Sequence, residues 1–330
     1  MKLLSKNNPT INNIFRCPIC HQDLKENQKY LTCKSKHRFF IKDKIYLFSK
    51  KPDNFYEGRF TNQSEALNFK NPFLGFIYKI WSAFSISNRH LRAFKEFAAR
   101  FPKKKLVLDF GCGGGNKLFK KMGKVIGIDI SYKSLQNAQK IYSKAILYDG
   151  KNLPFKDSTF DYVLSDQVFG HIPLDEKNQL IKEIYRIIKP GGIIYASIET
   201  DSKNNRLINF MKKYPKLYQQ KWIRMYGHFG LELPSECLKR FENNGFEILK
   251  TFKGLRYFWE AAGYYKIFSK EYAEKNKLIN FLVIISKPFA QNTYIGAFWS
   301  FIAGLLSTLL EKHLPLDSCT GIILYAKAKK

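Results

Sequence analysis

Acidic residues are what this chain is short of. Its 330 residues hold 27 Asp and Glu against 56 Lys and Arg, a formal net charge of +29. Such an excess selects polyanionic partners, either nucleic acid phosphates or an anionic membrane surface, unless it only reflects Lys-rich solvated faces. The shortage is uneven. Residues 1–150 carry 29 basic and 10 acidic side chains and residues 201–330 carry 21 and 10, whereas residues 151–200 carry 6 and 7. Basic flanks around a neutral middle fit a catalytic centre with surfaces that dock on an anionic partner. Cysteine is also scarce, with six in the chain. Met1 to Thr10 has no apolar run of the length a secretory signal needs. The expectation is a cytoplasmic, reducing setting, where cysteines bind metal or fill cores instead of forming disulfides. Disorder as the main state is excluded, because aromatics make up 16% of the chain. At ~100–200 residues per domain, the length allows one large domain with additions, or two domains.

Three of the six cysteines fall close together. Cys17-Pro18-Ile19-Cys20 is followed, after twelve intervening residues, by Cys33 and then His37. Two pairs of ligands on two tight turns supply the four places of a tetrahedral zinc, and with every place filled by protein the site is structural. His21 competes for the fourth place, but it directly follows Cys20 and its ring would have to fold back on its neighbour. The segment "LTCKSKHRFFIKDKIYLF" resembles the Trm112-like zinc-ribbon modules that precede some bacterial methyltransferases. The ligand spacing is also similar to the zinc finger of large-subunit rRNA guanine-N1 methyltransferases. His37 stands where the Trm112-like group usually has a fourth cysteine.

A strand-like run, Lys105 to Phe110, leads into Gly111-Cys112-Gly113-Gly114-Gly115 and then a helix-forming stretch. Strand, glycine turn and helix form the context in which such a loop holds a nucleotide. The G-x-G-x-x-G spacing of dinucleotide sites is absent. Asp109, just before the loop, would repel a pyrophosphate but suits a ligand with cationic sulfonium and amino groups. Val125 to Asp129 is a second strand ending in an acid 18 residues after Gly111, placed to accept bonds from ribose hydroxyls. Together, "VLDFGCGGG" and "VIGIDIS" resemble motifs I and II of class I S-adenosylmethionine-dependent methyltransferases. The Pro190-Gly191-Gly192 turn resembles that of the ubiquinone-biosynthesis-like type 11 group. The resemblance implies that Asp109, Gly111, Cys112 (through its backbone amide), Gly113, Gly115, Asp129 and Ile130 hold S-adenosylmethionine. Asp149, Gly150 and Leu153 would flank the adenine, and Ser165 would lie at the carboxyl end of strand four.

The fold expected is α/β. A Rossmann-like, doubly wound sheet of seven strands has an antiparallel last strand, a small N-terminal zinc ribbon, and an apolar helical insertion before that last strand. The divisions are a zinc ribbon at 1–50, a helical linker or substrate cover at 51–103, the methyltransferase core at 104–256, the insertion at 257–318, and the last strand with a basic tail at 319–330. Candidates for a base are His171, Asp166 and His228; the alternative reading makes either histidine a packed loop residue and Asp166 an orienting group. No Asn-Pro-Pro-Tyr-like run follows strand four, which argues against the adenine amino-methylating enzymes that carry it. Cys237 and Cys319 read as core.

Pro288 to Leu310 contains no charged residue. That is long enough to cross a bilayer. One crossing, however, would put the last strand on the wrong side of the sheet it must join. The segment is therefore an interfacial anchor, a lid, a re-entrant pair with Leu278 to Ile285, or a buried core or dimer helix. The acceptor is then either a small, lipid-like or membrane-associated molecule, on a protein peripheral to the inner face of an anionic membrane, or an rRNA base gripped through the ribbon. A non-catalytic binding module is the third reading, and the intact Gly111, Gly113, Gly115 and Asp129 argue against it.

Overall fold

Alternation along the strands decides what each residue packs against. In Lys105–Phe110 (β5), Leu106 and Leu108 fall in one hydrophobic cluster while Val107 between them falls in another. Pleated side chains alternate in this way, and a strand buried on both faces reads as an apolar run. The computed structural model describes residues 14–49, 52–59, 72–85, 89–148, 152–204, 206–254, 261–268, 276–310 and 313–330.

Four short strands open the chain, Lys25–Glu26 (β1), Tyr30–Thr32 (β2), Arg38–Lys42 (β3) and Ile45–Leu47 (β4). After β5 come Gly123–Asp129 (β6), Lys144–Leu147 (β7), Phe160–Asp166 (β8), Ile188–Glu199 (β9), Phe246–Gly254 (β10) and Gly321–Ala328 (β11). They form one sheet of order β1-β2-β3-β4-β7-β6-β5-β8-β9-β11-β10. The strands from β7 to β9 run parallel, and β11 lies antiparallel between β9 and β10.

The sheet has eleven strands among the described residues, the seven from β5 to β11 and four, β1 to β4, from the predicted ribbon. The ribbon is not a separate appendage, because β4 adds to the sheet edge in parallel with β7, Ile45 facing Ala145 and Leu47 facing Leu147. Phe15, Cys17, Leu31 and Phe39 of the ribbon share the cluster that holds Leu106 and Ile126. Ion pairs join ribbon and domain at Lys144–Glu26 (3.3 Å), Lys156–Asp23 (2.9 Å) and Arg16–Asp157 (3.0 Å), and Tyr46 also donates to Glu26 at 2.6 Å. The expected Pro190–Gly192 turn is an irregularity within β9. Phe160 pairs with Ile188 and Tyr162 with Ile193, so the residues between loop outward, with Gly191 at a φ of +69°.

The helices Pro72–Phe84 (α1), Arg89–Arg100 (α2), Tyr132–Ala138 (α3), Leu174–Ile187 (α4), Arg206–Lys212 (α5) and Pro234–Asn243 (α6) precede two long ones in the insertion, Lys277–Gln291 (α7) and Thr293–Leu310 (α8). Residues of α2 and α3 pack in one of the two sheet clusters, those of α4 and α6 in the other. Local chemistry sets their ends. Ser131 caps α3 by accepting from the Ser134 amide at 3.2 Å, α4 starts with Asp175 and Glu176 and ends with Arg186, and Pro234 opens α6. The chain order reverses between β5 and its neighbours β6 and β8, which opens a crevice at the carboxyl ends of those strands.

Candidate active site

A cavity of about 980 Å³ fills that crevice. At one end the glycine loop winds back onto β6. Gly111 and Cys112 both donate their backbone N–H to the Ile128 carbonyl, at 2.9 and 3.0 Å, and Gly113 donates to Asp129 Oδ2 at 2.7 Å. Asp129 Oδ1 accepts from the Ser131 amide at 2.8 Å. This carboxylate is thus fixed from two sides at the end of β6 and keeps a second lone pair on each oxygen for hydroxyl donors. Only glycine fits at 111, where φ is +70° and a Cβ would lie 2.3 Å from Val168 Cγ2.

Asp109 sits beneath the loop, 2% exposed, accepting from the Tyr142 hydroxyl at 2.6 Å. Burial pushes its carboxyl up to about 8, and the neighbouring Asp166 and Asp129 add to the rise against the Tyr142 bond. Burial also raises Asp129 and Asp166. A buried cluster of three carboxyls that resist ionisation favours a cationic ligand, which removes the cost of charging them.

The other end of the cavity is aromatic. Phe55, Tyr56, Tyr226 and Phe229 line it with His171, His228 and Glu199. Glu199, the last residue of β9, lies between the two imidazoles. Its Oε2 is 3.5 Å from His171 Nε2, its Oε1 is 3.5 Å from His228 Nε2, and the two rings stack at 5.5 Å. His171 Nδ1 donates to the Gly227 carbonyl at 2.9 Å, which turns its Nε2 toward a carboxylate oxygen of Glu199. That oxygen, Glu199 Oε2, is buried without a hydrogen-bond partner among the described residues, as are Asp166 Oδ1 and His228 Nδ1.

The sequence-predicted residues divide clearly. Asp109, Gly111, Cys112, Gly113, Gly115, Asp129, Ile130, Asp166, His171 and His228 all line the cavity. Three of the expected residues are placed differently. The Cys112 amide is committed to Ile128, and its thiol is buried against Gly127. Leu153 is absent from the lining because it is in the core, with its amide donated to Glu183 at 2.8 Å; Tyr148 lines the cavity in that region. Ser165 is fully buried behind the wall. Asp149 and Gly150 lie outside the described residues. Residues missed include Asp53, Phe55, Tyr56, Glu199, Tyr226 and Phe229. For Glu199 a signal existed, since a carboxylate ends strand five at the same edge as Asp166.

The second candidate site is the cysteine cluster. The ligating atoms of Cys17, Cys20, Cys33 and His37 lie within 4.8 Å of one another. His37 Nδ1 is 3.4 Å from both the Cys17 and Cys33 sulfurs, and Cys20 Sγ is 3.5 Å from Cys33 Sγ. A tetrahedron built on ~2.3 Å zinc–sulfur bonds has edges of about 3.5–3.8 Å. The donor set therefore fits zinc. His21 is exposed at a φ of +60° and outside the cluster.

A family model described as a methyltransferase domain matches residues 108–196. Over this stretch the chain is similar to a methyltransferase domain. The stretch contains the glycine loop, Asp129, Asp166 and His171. The demethylmenaquinone methyltransferase of Lactiplantibacillus plantarum is 34% identical over 135 residues, 37% of this chain and 54% of that enzyme. The tRNA (carboxymethyluridine(34)-5-O)-methyltransferase of Arabidopsis thaliana is 25% identical over 130 residues, 38% of this chain and 32% of that enzyme. The chain thus spans about half or less of these relatives' own length. Among solved structures, a chain from the complex of the Haloferax volcanii Trm112 methyltransferase activator with a methyltransferase aligns at a TM-score of 0.46 and 17% identity, covering 80% of this chain and 100% of that one. The ribbon, α1, α7 and α8 lie outside the matched domain.

Proposed function

We propose that the protein methylates a small, lipid-like acceptor that carries an exchangeable proton, using S-adenosylmethionine. The observation that carries this reading is the single cavity that joins the glycine-loop carboxylates to the Glu199–histidine end. Asp129 and the loop would hold the cofactor's ribose side, and Asp109 and Asp166 its cationic end. The cofactor supplies a methyl group already activated on a sulfonium. What the protein adds is position and a proton acceptor. The aromatic walls from Phe55, Tyr56, Tyr226 and Phe229 exclude water and orient a ring or apolar chain. Glu199, held between His171 and His228, takes the proton the acceptor loses as its new bond to carbon forms. A relative that acts on demethylmenaquinone supports an acceptor of this kind. Zinc on Cys17, Cys20, Cys33 and His37 would have a structural role. The working location is the cytoplasm, peripheral to the inner face of the membrane.

A second reading, base methylation of rRNA, is favoured by the ribbon's exposed Lys25, Lys29, Lys34, Lys36, Arg38 and Lys42. Transfer of labelled methyl from the cofactor into whole-cell lipid and RNA fractions tests both. Label in the lipid fraction that disappears with Glu199→Gln is expected; label confined to RNA overturns the lipid reading.

A further inference from the structure

Three helices outside the matched domain share a property that a soluble enzyme has no use for. On α7, Leu278, Phe281 and Ile284 are each more than half exposed and three residues apart. On α1, Phe73, Phe76 and Ile80 are exposed at helical spacing. The 18 residues of α8 contain no charge, have a mean hydropathy of 1.5 and are only 17% buried. It leans on α1 through Trp81 and Phe298, 5.1 Å apart, and buries the small Ala303, Gly304 and Ser307. Contiguous exposed apolar surface of this extent marks a partner.

The surroundings specify the partner. The buried side of α7, through Ile279, Leu282 and Val283, packs on Leu207, Ile208, Met211 and Leu217. These belong to residues 202–230, which contain seven Lys and Arg and no acid. Lys213, Lys216 and Arg224 there are exposed, and so are Lys277 and Lys287 on α7 and Lys266 beside it. An apolar face with these exposed cations along its rim matches the interface of an anionic bilayer. Crossing it is excluded, since β10 and β11 pair in one sheet on either side of the insertion, and α7, with 15 residues and Lys287, is too short to return across a bilayer that takes ~20.

We infer that α1, α7 and α8 form a monotopic face that docks on an anionic bilayer surface, with residues 206–224 as its cationic rim. This deepens the reading of a lipid-like acceptor and rests on it. The rim continues in sequence into Tyr226 and His228 of the cavity lining, which ties the docked face to the acceptor end.

The test is flotation of the full chain with vesicles of phosphatidylcholine alone and with about 30% phosphatidylglycerol. Binding is expected only to the anionic vesicles and to fall with salt. Phe281→Asp with Ile284→Asp should weaken it more than ~10-fold, and so should Lys213→Glu with Lys216→Glu, whose exposed side chains can change without loss of fold. Absence of wild-type flotation, or variants that float like wild type, overturns the inference. So does a wild-type dimer that does not float and that Phe281→Asp splits, because the face then belongs to a second copy. Calorimetric binding of the cofactor in the same samples keeps the two readings apart. Vesicle binding without cofactor binding sinks the methyltransferase assignment alone, and the reverse sinks only the docking face.

Discussion

Glu199 decides how the acceptor end is read. A carboxylate 3.5 Å from two imidazole nitrogens, with one buried oxygen that has no hydrogen-bond partner among the described residues, fits the proton acceptor proposed above. Glu199→Gln keeps the shape and removes the charge. We expect kcat to fall about 100-fold or more with cofactor affinity unchanged, measured by single-turnover methyl transfer and calorimetry. Equal turnover would reduce Glu199 to packing. Asp109 makes a separate prediction at the cofactor end. Its carboxyl is raised to about 8, so below that pH the empty site holds a proton there that a cationic ligand must displace. Affinity for S-adenosylmethionine should therefore rise by up to about tenfold per pH unit between pH 6 and 8, with proton release on binding. For stability the sign is opposite. The folded state binds this proton more tightly than the unfolded chain, so the group's contribution falls as pH rises from about 4 to about 8. Asp109→Asn should abolish the pH dependence of affinity, and a slope that persists in that variant would place the proton elsewhere.

The loop that carries His228 depends on one buried ion pair. Lys177 of α4 reaches across to Glu232 at 2.8 Å and to the Gly230 carbonyl, and Arg240 of α6 holds the other oxygen of Glu232, also at 2.8 Å. Lys177→Ala leaves Glu232 buried with a single partner and frees the Gly230 carbonyl. Since removing one member of such a pair costs roughly 3–5 kcal/mol and Arg240 remains, we expect a loss of about 3 kcal/mol in urea unfolding, together with a raised KM for the acceptor. The same elements show how far sequence reaches. Strands β5, β6 and β8 were readable because each is an apolar run that ends at or just before an acid or glycine lining the cavity. Asp129 and His171 were readable because motif spacing fixes position along the chain. Spacing says nothing about which way a backbone amide points, and so the Cys112 amide, spent on Ile128, was assigned to the ligand. Nor does it distinguish a wall from the core one residue behind it, as Leu153 and Ser165 demonstrate. Phe55 and Tyr56 reach the site through a contact with Gly227 some 170 positions away, and no local pattern announces that.

At the scale of the whole molecule, the N-terminal strands and the domain that follows are one sheet, so the Cys/His cluster and the cavity share a fate. The β4 strand is hydrogen-bonded along β7, and Phe15, Cys17, Leu31 and Phe39 sit in the domain's own core. Opening the ribbon would strip one edge from β7 and expose that core to water, at about 1.5–3 kcal/mol for each large side chain uncovered. Zinc binding on Cys17, Cys20, Cys33 and His37, coupled as it is to folding of the ribbon, should therefore stabilise residues far from it. All four tryptophans, Trp81, Trp222, Trp259 and Trp299, lie outside the ribbon, so their fluorescence reports the rest of the chain alone. Chelation, or His37→Ala, should lower the tryptophan-detected Tm by about 10 °C or more, and the far-UV transition should move with it as a single step. A ribbon that melted alone, leaving the tryptophan transition where it was, would show that the shared edge is contact without coupling.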